Sequence, residues 1–222
     1  MFDSAEMSKP LVHESRSALI PTKLAAFESR ADGDAPTLIA GYGAVYYRDG
    51  DAGSEYRIDV DLVERLRPGC FDAFLASDRD CFCAPYHDEN RVLGRRSRLM
   101  NLASDDRGLR YSLPYDASDP DHQAIAAKLR RGDVSGSSVR FLVLAEEWRR
   151  DEATDMIIRE VIKAEILHLG PVIGEAYSST TAEIRTADGA WDQLQSRKAA
   201  FVANEFDGHD SLLIEIDSLL ID

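Results

Sequence analysis

Short runs of strand-forming residues, each closed by Gly, Asp or Pro, recur along most of this chain. That rhythm constrains the fold more than any other feature, because it calls for a core built of β-sheet. Thr37–Tyr47 is the first strong strand, with Leu38, Ile39, Ala40, Tyr42, Ala44, Val45, Tyr46 and Tyr47 as strand formers. Gly41 and Gly43 within it predict a bend or a close backbone contact. After the turn at residues 48–53, Tyr56–Leu62 reads as a second extended piece. Pro68-Gly69 then precedes a short helix over Cys70–Ala76, with Phe71, Phe74 and Leu75 inward. Cys81–Tyr86 reads as a short buried strand that delivers His87-Asp88. Leu99–Leu102 and Leu109–Leu113 pair as a hairpin around Asp105-Asp106-Arg107-Gly108.

One helix is written clearly. Asp119 is its cap, Pro120 sits in the first turn, Ile125, Ala126 and Leu129 share a face, and Gly132 stops it. Strands follow over Ser138–Trp148 and Met156–Leu169, joined by a turn at Glu152–Asp155. Ile158, Ile162, Ala164, Ile166 and His168 fall on one face of the second. Tyr177–Arg185 is a last core strand. Many strands and few helices give a mainly β, α+β chain with a barrel or sandwich core. Residues 1–36 read as a flexible N-terminal arm and 37–187 as the folded domain. Residues 188–222 form an acidic, amphipathic C-terminal segment, helical over Trp191–Phe201 and ending in an apolar docking or packing element.

The formal net charge of −14 argues against a nucleic-acid surface, with Arg91–Arg98 as the one local basic stretch. No apolar run approaches the length needed to span a bilayer, and no signal peptide is evident. Cys70, Cys81 and Cys83 are odd in number and are not spaced as a disulfide framework, which fits a reducing, cytoplasmic compartment.

The chemistry concentrates around Gly132–Phe141, where small residues and a hydroxyl stand at the start of a strand. A serine hydroxyl becomes a useful nucleophile only when a base takes its proton, and histidine is tuned for that near neutral pH. A third group must then orient the imidazole. The chain offers His87, Ser138 and His168, each at a strand end. Spacing alone leaves Ser135 and Ser137 as competitors for Ser138, and any of them can be a turn serine bonded to backbone. Asp88 and Glu165 are the carboxylates next to the histidines. The competing chemistry is a metal site on Cys81, Cys83 and His87, but no further Cys or His pair completes it at zinc-like spacing. The two thiols are more simply small core hydrophobes on one strand face. No Gly-rich phosphate loop is present.

From about Leu38 to Arg185 the sequence resembles the tailed-phage prohead maturation proteases, a family related to herpesvirus assemblin. The resemblance rests on six parts in order. They are Gly41–Tyr46, Arg67-Pro68-Gly69-Cys70-Phe71, and Tyr86-His87-Asp88 with Leu93-Gly94-Arg95. Then come Asp106–Pro114, Gly136-Ser137-Ser138-Val139-Arg140-Phe141 as the Gly-x-Ser-x-x-Phe motif, and Leu167–Val172 continuing through Ala176-Tyr177 to Thr180–Arg185. The resemblance implies Ser138 as nucleophile, His87 as general base and His168 as third member, where phage relatives commonly carry glutamate. A Ser-His-His set is the assemblin type. Other departures are Gly170 in place of serine, Glu175 in place of proline and Arg140 in place of glycine.

The implied fold is a compact antiparallel β-barrel with peripheral helices. The implied activity is serine-type endopeptidase cleavage of scaffolding segments of the capsid precursor, and of the protease itself, inside the prohead in the host cytoplasm. No cofactor or metal is called for. The major capsid protein with its scaffold segment is the expected partner, and a homo-oligomer is compatible with the family. Oxyanion donors are sought at the backbone N–H groups of Val139 and Arg140 or at the Arg140 and Arg159 side chains. The alternative on the same fold is a catalytically inactive scaffold or capsid-assembly factor.

Overall fold

The computed structural model describes residues 14–18, 27–28, 37–173, 190–206 and 209–216. The first elements are β1 (Glu14–Ala18), β2 (Phe27–Glu28), β3 (Leu38–Val45), β4 (Tyr56–Asp59) and β5 (Leu62–Leu66). Helix α1 (Asp72–Leu75) leads to β6 (Phe82–Cys83), β7 (Gly94–Arg95), β8 (Asn101–Ser104) and β9 (Gly108–Pro114). Helix α2 (Pro120–Arg131) precedes the two longest strands, β10 (Gly136–Arg150) and β11 (Ile157–Val172), and α3 (Ala190–Phe206) and β12 (Ser211–Glu215) close the order.

Local chemistry accounts for most of these boundaries. The Asp119 side chain accepts hydrogen bonds from the N–H groups of Asp121 and His122 at 2.7 and 3.4 Å, and Gly132 takes the left-handed conformation that ends α2 at φ 78°. In the β8–β9 turn the Asp105 carboxylate accepts from the Arg107 and Gly108 N–H groups. Tyr56–Leu62 is not one extended piece. It is a β4–β5 hairpin turning at Val60-Asp61, where the Asp59 carboxylate accepts from the Val60 N–H at 2.7 Å. Val60 is 77% exposed, and an apolar residue at the turn hid the break. The expected strand Tyr177–Arg185 lies outside the described residues.

Two sheets result. In the larger, β10 and β11 pair antiparallel along almost their whole length. The far edge of β11 is shared by β5, opposite Ile157–Val161, and by β6, opposite His168 and Leu169. Both of these pairings are parallel, so the sheet is mixed rather than purely antiparallel. The far edge of β10 is shared by β1, opposite Ser137–Phe141, and by β12, opposite Ala145–Arg149. The smaller sheet runs β2-β3-β9-β8. Among the described residues the hydrogen-bonded ladders do not close into a barrel, so the expected barrel reduces to a β-rich fold of two sheets with few helices. Among the described residues each sheet ends on strands that pair on one side only, so no ladder joins the two.

The core lies between the sheets and includes Ile39, Leu109, Tyr111, Val139, Phe141 and Leu169. A β-carbon on Gly41 would sit 2.8 Å from Ser137 Oγ and 2.9 Å from the Tyr111 hydroxyl, so glycine is what allows β3 and β10 to approach. At the other end of β10 lies a network that the sequence did not announce. The fully buried Arg159 guanidinium donates to Glu146 at 2.6 Å and to Glu64 at 2.7 Å, beneath the Trp148 ring. Helix α3 joins it through Arg197–Glu146 at 3.3 Å and packs Phe201 on Trp148. Removing the cation would take the shared charge partner from two buried carboxylates, leaving Glu146 with the more distant Arg197 and the Trp148 N–H. Arg159→Leu is therefore expected to lower unfolding free energy by about 3–5 kcal/mol in chemical denaturation at neutral pH. A loss below about 1 kcal/mol would contradict this role.

Candidate active site

His87, Ser138 and His168 converge because three strands meet beside them. Ser138 stands near the start of β10, opposite Gly170 of β11, and Arg140 stands opposite His168. β6 pairs with β11 so that Phe82 lies opposite His168, and the chain leaving β6 turns directly into His87. The Phe82 and His168 rings stack, with centroids 4.9 Å apart and planes within 2°.

His87 Nε2 lies 2.7 Å from Ser138 Oγ, and His87 Nδ1 lies 3.0 Å from His168 Nδ1. The His87 and His168 rings meet edge-on, 4.7 Å between centroids. These distances suit one consistent proton arrangement. If His87 Nε2 accepts from the Ser138 hydroxyl, its Nδ1 carries the ring hydrogen and donates to His168 Nδ1. His168 is then protonated at Nε2. The order Ser138–His87–His168 is thus a continuous hydrogen-bonded relay.

The backbone around His87 is held in an uncommon shape. Tyr86 and His87 both have φ 59°, the left-handed region that non-glycine residues enter at a cost. Neighbouring contacts hold the turn: Ala84 N–H donates to Leu169 C=O at 2.8 Å, Leu93 N–H to Cys83 C=O at 2.8 Å, and Asp88 N–H to Pro85 C=O at 3.1 Å. Gly170 completes the support. A β-carbon there would lie 2.2 Å from the Ala84 carbonyl oxygen, so the loop carrying His87 packs on bare backbone. This gives a physical reason for the glycine where serine was expected.

The electrostatics favour a neutral imidazole at His87. Burial first, then the nearby His168 and the Arg140 cation, push the His87 pKa down to about 3. His168→Ala would remove a neutral orienting hydrogen bond and leave the His87 Nδ1–H without that acceptor. The expected result is a fall in kcat of about 10- to 100-fold, from the roughly 1–3 kcal/mol of an unsatisfied buried polar group. An unchanged kcat would show that His168 does not orient the base.

The other sequence candidates are sorted by the same geometry. Ser137 points away and bonds the Tyr111 hydroxyl at 3.0 Å, while Ser135 lies in the loop before β10. Asp88 turns to Asn90, and Glu165 pairs with Arg79, so neither carboxylate reaches the histidines. Arg159 is not brought to the site: it stands opposite Trp148, ten positions along β10, roughly 30 Å away at strand rise. Cys81 and Cys83 are buried, and burial pushes the Cys81 thiol up to about 12 and Cys83 higher still, as for inert core thiols. Among the described residues no group of three or more His, Cys, Asp or Glu is placed to hold a metal ion.

Sequence reasoning missed Phe82, the left-handed Tyr86-His87 turn and the Ser137–Tyr111 bond. Only Phe82 left a usable signal, as a large aromatic residue between two core cysteines. Beside the trio, Arg140, His168, Phe82, Arg95, Asp80 and Glu89 line a cavity of about 250 Å³. Arg95 is already bonded to Asp80 at 2.7 Å.

Searches of curated proteins and of solved structures found no match to the chain. No described helix is long and apolar enough to cross a membrane. Residues 25–193, more than half of the chain, do match a family model, and the chain belongs to the family that it describes, the Caudovirus prohead serine protease family.

Proposed function

We propose that the chain is a serine endopeptidase with a Ser138–His87–His168 triad that trims the scaffold segment from the phage capsid precursor within the prohead. The observation that carries the reading is the 2.7 Å contact between His87 Nε2 and Ser138 Oγ, backed by His168 at 3.0 Å. Ser138 Oγ attacks the scissile carbonyl carbon as its proton passes to His87 Nε2. The tetrahedral adduct collapses, the C–N bond breaks, and His87 returns the proton to the departing amine. Water then enters, gives a proton to His87 and attacks the ester carbonyl; as the bond from the acyl carbon to Ser138 Oγ breaks, His87 returns that proton to Ser138 Oγ.

Oxyanion donors in this reading come from the Val139 and Arg140 backbone or the Arg140 side chain, and the adjoining cavity takes a substrate side chain. An assemblin-like barrel remains part of the proposal. Its support is the β10–β11 pair, whose register shifts at Arg140/Phe141 and Val143/Ala145 bend long strands as barrel walls do. The division into arm, protease domain and C-terminal segment, and self-cleavage of the tails, also belong to the proposal.

Intact-mass analysis after co-expression with the capsid precursor tests the proposal. Wild type is expected to shorten the precursor, and Ser138→Ala is expected to leave it full length. Full-length precursor with both proteins, in assembled capsids, would favour the inactive assembly-factor reading.

A further inference from the structure

Strand β10 presents one edge to β11, and its other edge is where an extended peptide could pair beside Ser138. That edge is occupied. Glu14–Ala18 pairs antiparallel with it, placing Ser17 opposite Ser138, Arg16 opposite Val139 and Ser15 opposite Arg140. Farther along, β12 takes the same edge opposite Ala145–Arg149, and the Ile216 N–H donates to the Leu144 carbonyl at 2.7 Å. Ser138 itself is fully buried.

Three observations separate β1 from an ordinary sheet strand. It lies outside residues 25–193, the stretch that matches the family. It sits on the very register positions that carry the nucleophile and the sought oxyanion amides. Successive N–H groups of a strand point to opposite edges, so one of the Val139 and Arg140 amides faces β1. The residues opposite the nucleophile end, Ser17 and Ala18, are small and are followed by apolar Leu19 and Ile20, a composition suited to an extended peptide.

We propose that Glu14–Ala18 is a built-in occupant of the peptide-binding edge of β10, masking Ser138 in cis until a capsid-precursor segment of extended conformation displaces it. Strand addition of this kind draws affinity from main-chain hydrogen bonds, so a tethered segment at millimolar effective concentration competes well with a free peptide. The proposal rests on the reading of Ser138 as the nucleophile.

The test is built to separate the two. A fluorescent synthetic peptide copying residues 11–22 is titrated into the full-length Ser138→Ala protein, with the native arm or with Arg16→Pro and Ser17→Pro together. Of two adjacent residues one directs its N–H at β10, so the double change removes a ladder hydrogen bond whichever it is. The disrupted arm is expected to raise peptide affinity roughly tenfold or more, and equal affinity would overturn the proposal. Cleavage of the capsid precursor is then followed with Ser138 intact. Faster cleavage by the double-proline protein, slowed again by added peptide, is the expected result. Equal rates insensitive to the peptide would overturn it. No cleavage by either protein, with the affinity difference retained, would keep the masking strand and remove the protease reading. A thermal melt unchanged by the two prolines confirms that the comparison is between folded proteins.

Discussion

Ser138→Ala is expected to lower cleavage of the capsid precursor by about 10⁴- to 10⁶-fold while the protein stays folded. The magnitude follows from the chemistry. Without the hydroxyl there is no acyl-enzyme, and the rest of the site offers only binding and oxyanion stabilisation. The fold should survive because the change deletes one oxygen from a small side chain on a strand whose ladder to β11 is made by backbone. Peptide cleavage measured beside circular dichroism and a melting curve checks both halves. Retained cleavage would take Ser138 out of the mechanism, and lost fold would make the lost activity uninformative.

The second large effect concerns His87. His87→Gln keeps a polar side chain of similar reach but cannot take up a proton, and kcat is expected to fall by about 10²- to 10⁴-fold, the usual worth of a positioned base. The depressed pKa of His87 carries two pH signatures. In wild type the acid limb of kcat/KM should lie well below pH 6.5, because the base stays neutral down to about pH 3. His168→Glu would set a carboxylate beside His87, favour the imidazolium, and move that limb up by about 1–3 pH units. A limb near 6.5 in wild type, unmoved by His168→Glu, would contradict the buried relay.

The stability signature has a definite sign. The folded pKa lies below the unfolded value of 6.5, so between about pH 6.5 and pH 3 the unfolded chain binds the extra proton. The His87 contribution is fully present above pH 6.5 and is lost as the pH falls through that window. His87→Gln should flatten this part of the stability profile.

Much of the architecture was readable because local chemistry wrote it. Asp119, Pro120 and Gly132 bracket α2 as their side-chain and backbone preferences require, and Asp105 and Gly108 make the β8–β9 turn. Gly41 marked a close backbone approach before Ser137 and Tyr111 showed what approaches it. The β4–β5 hairpin was hidden by Val60, since apolar character is read as strand wherever it stands. The parallel pairing of β5 and β6 with β11 could not be read at all, because partners 95 and 86 residues apart leave no local trace.

The site divides in the same way. His87, Ser138 and His168 were picked out by residue type, strand position and family resemblance, and the fold brings all three within hydrogen-bonding reach. Arg159 was offered as an oxyanion donor on charge alone. Its partners Glu64 and Glu146 come from β5 and β10, the two strands flanking β11, and only the folded sheet shows that they claim it. The reason for Gly170 was equally invisible, since it lies in the carbonyl of Ala84.

The central claim is that His87 activates the Ser138 hydroxyl, and covalent labelling tests it most directly. The full-length protein is treated with a small fluorophosphonate, which phosphonylates an activated serine and needs no peptide groove. Peptide mapping by mass spectrometry then locates the adduct. The account predicts a single adduct on Ser138, absent from Ser138→Ala and slowed by at least about 10²-fold in His87→Gln. Labelling of Ser135 or Ser137 instead, or labelling of Ser138 at the same rate without His87, would contradict it.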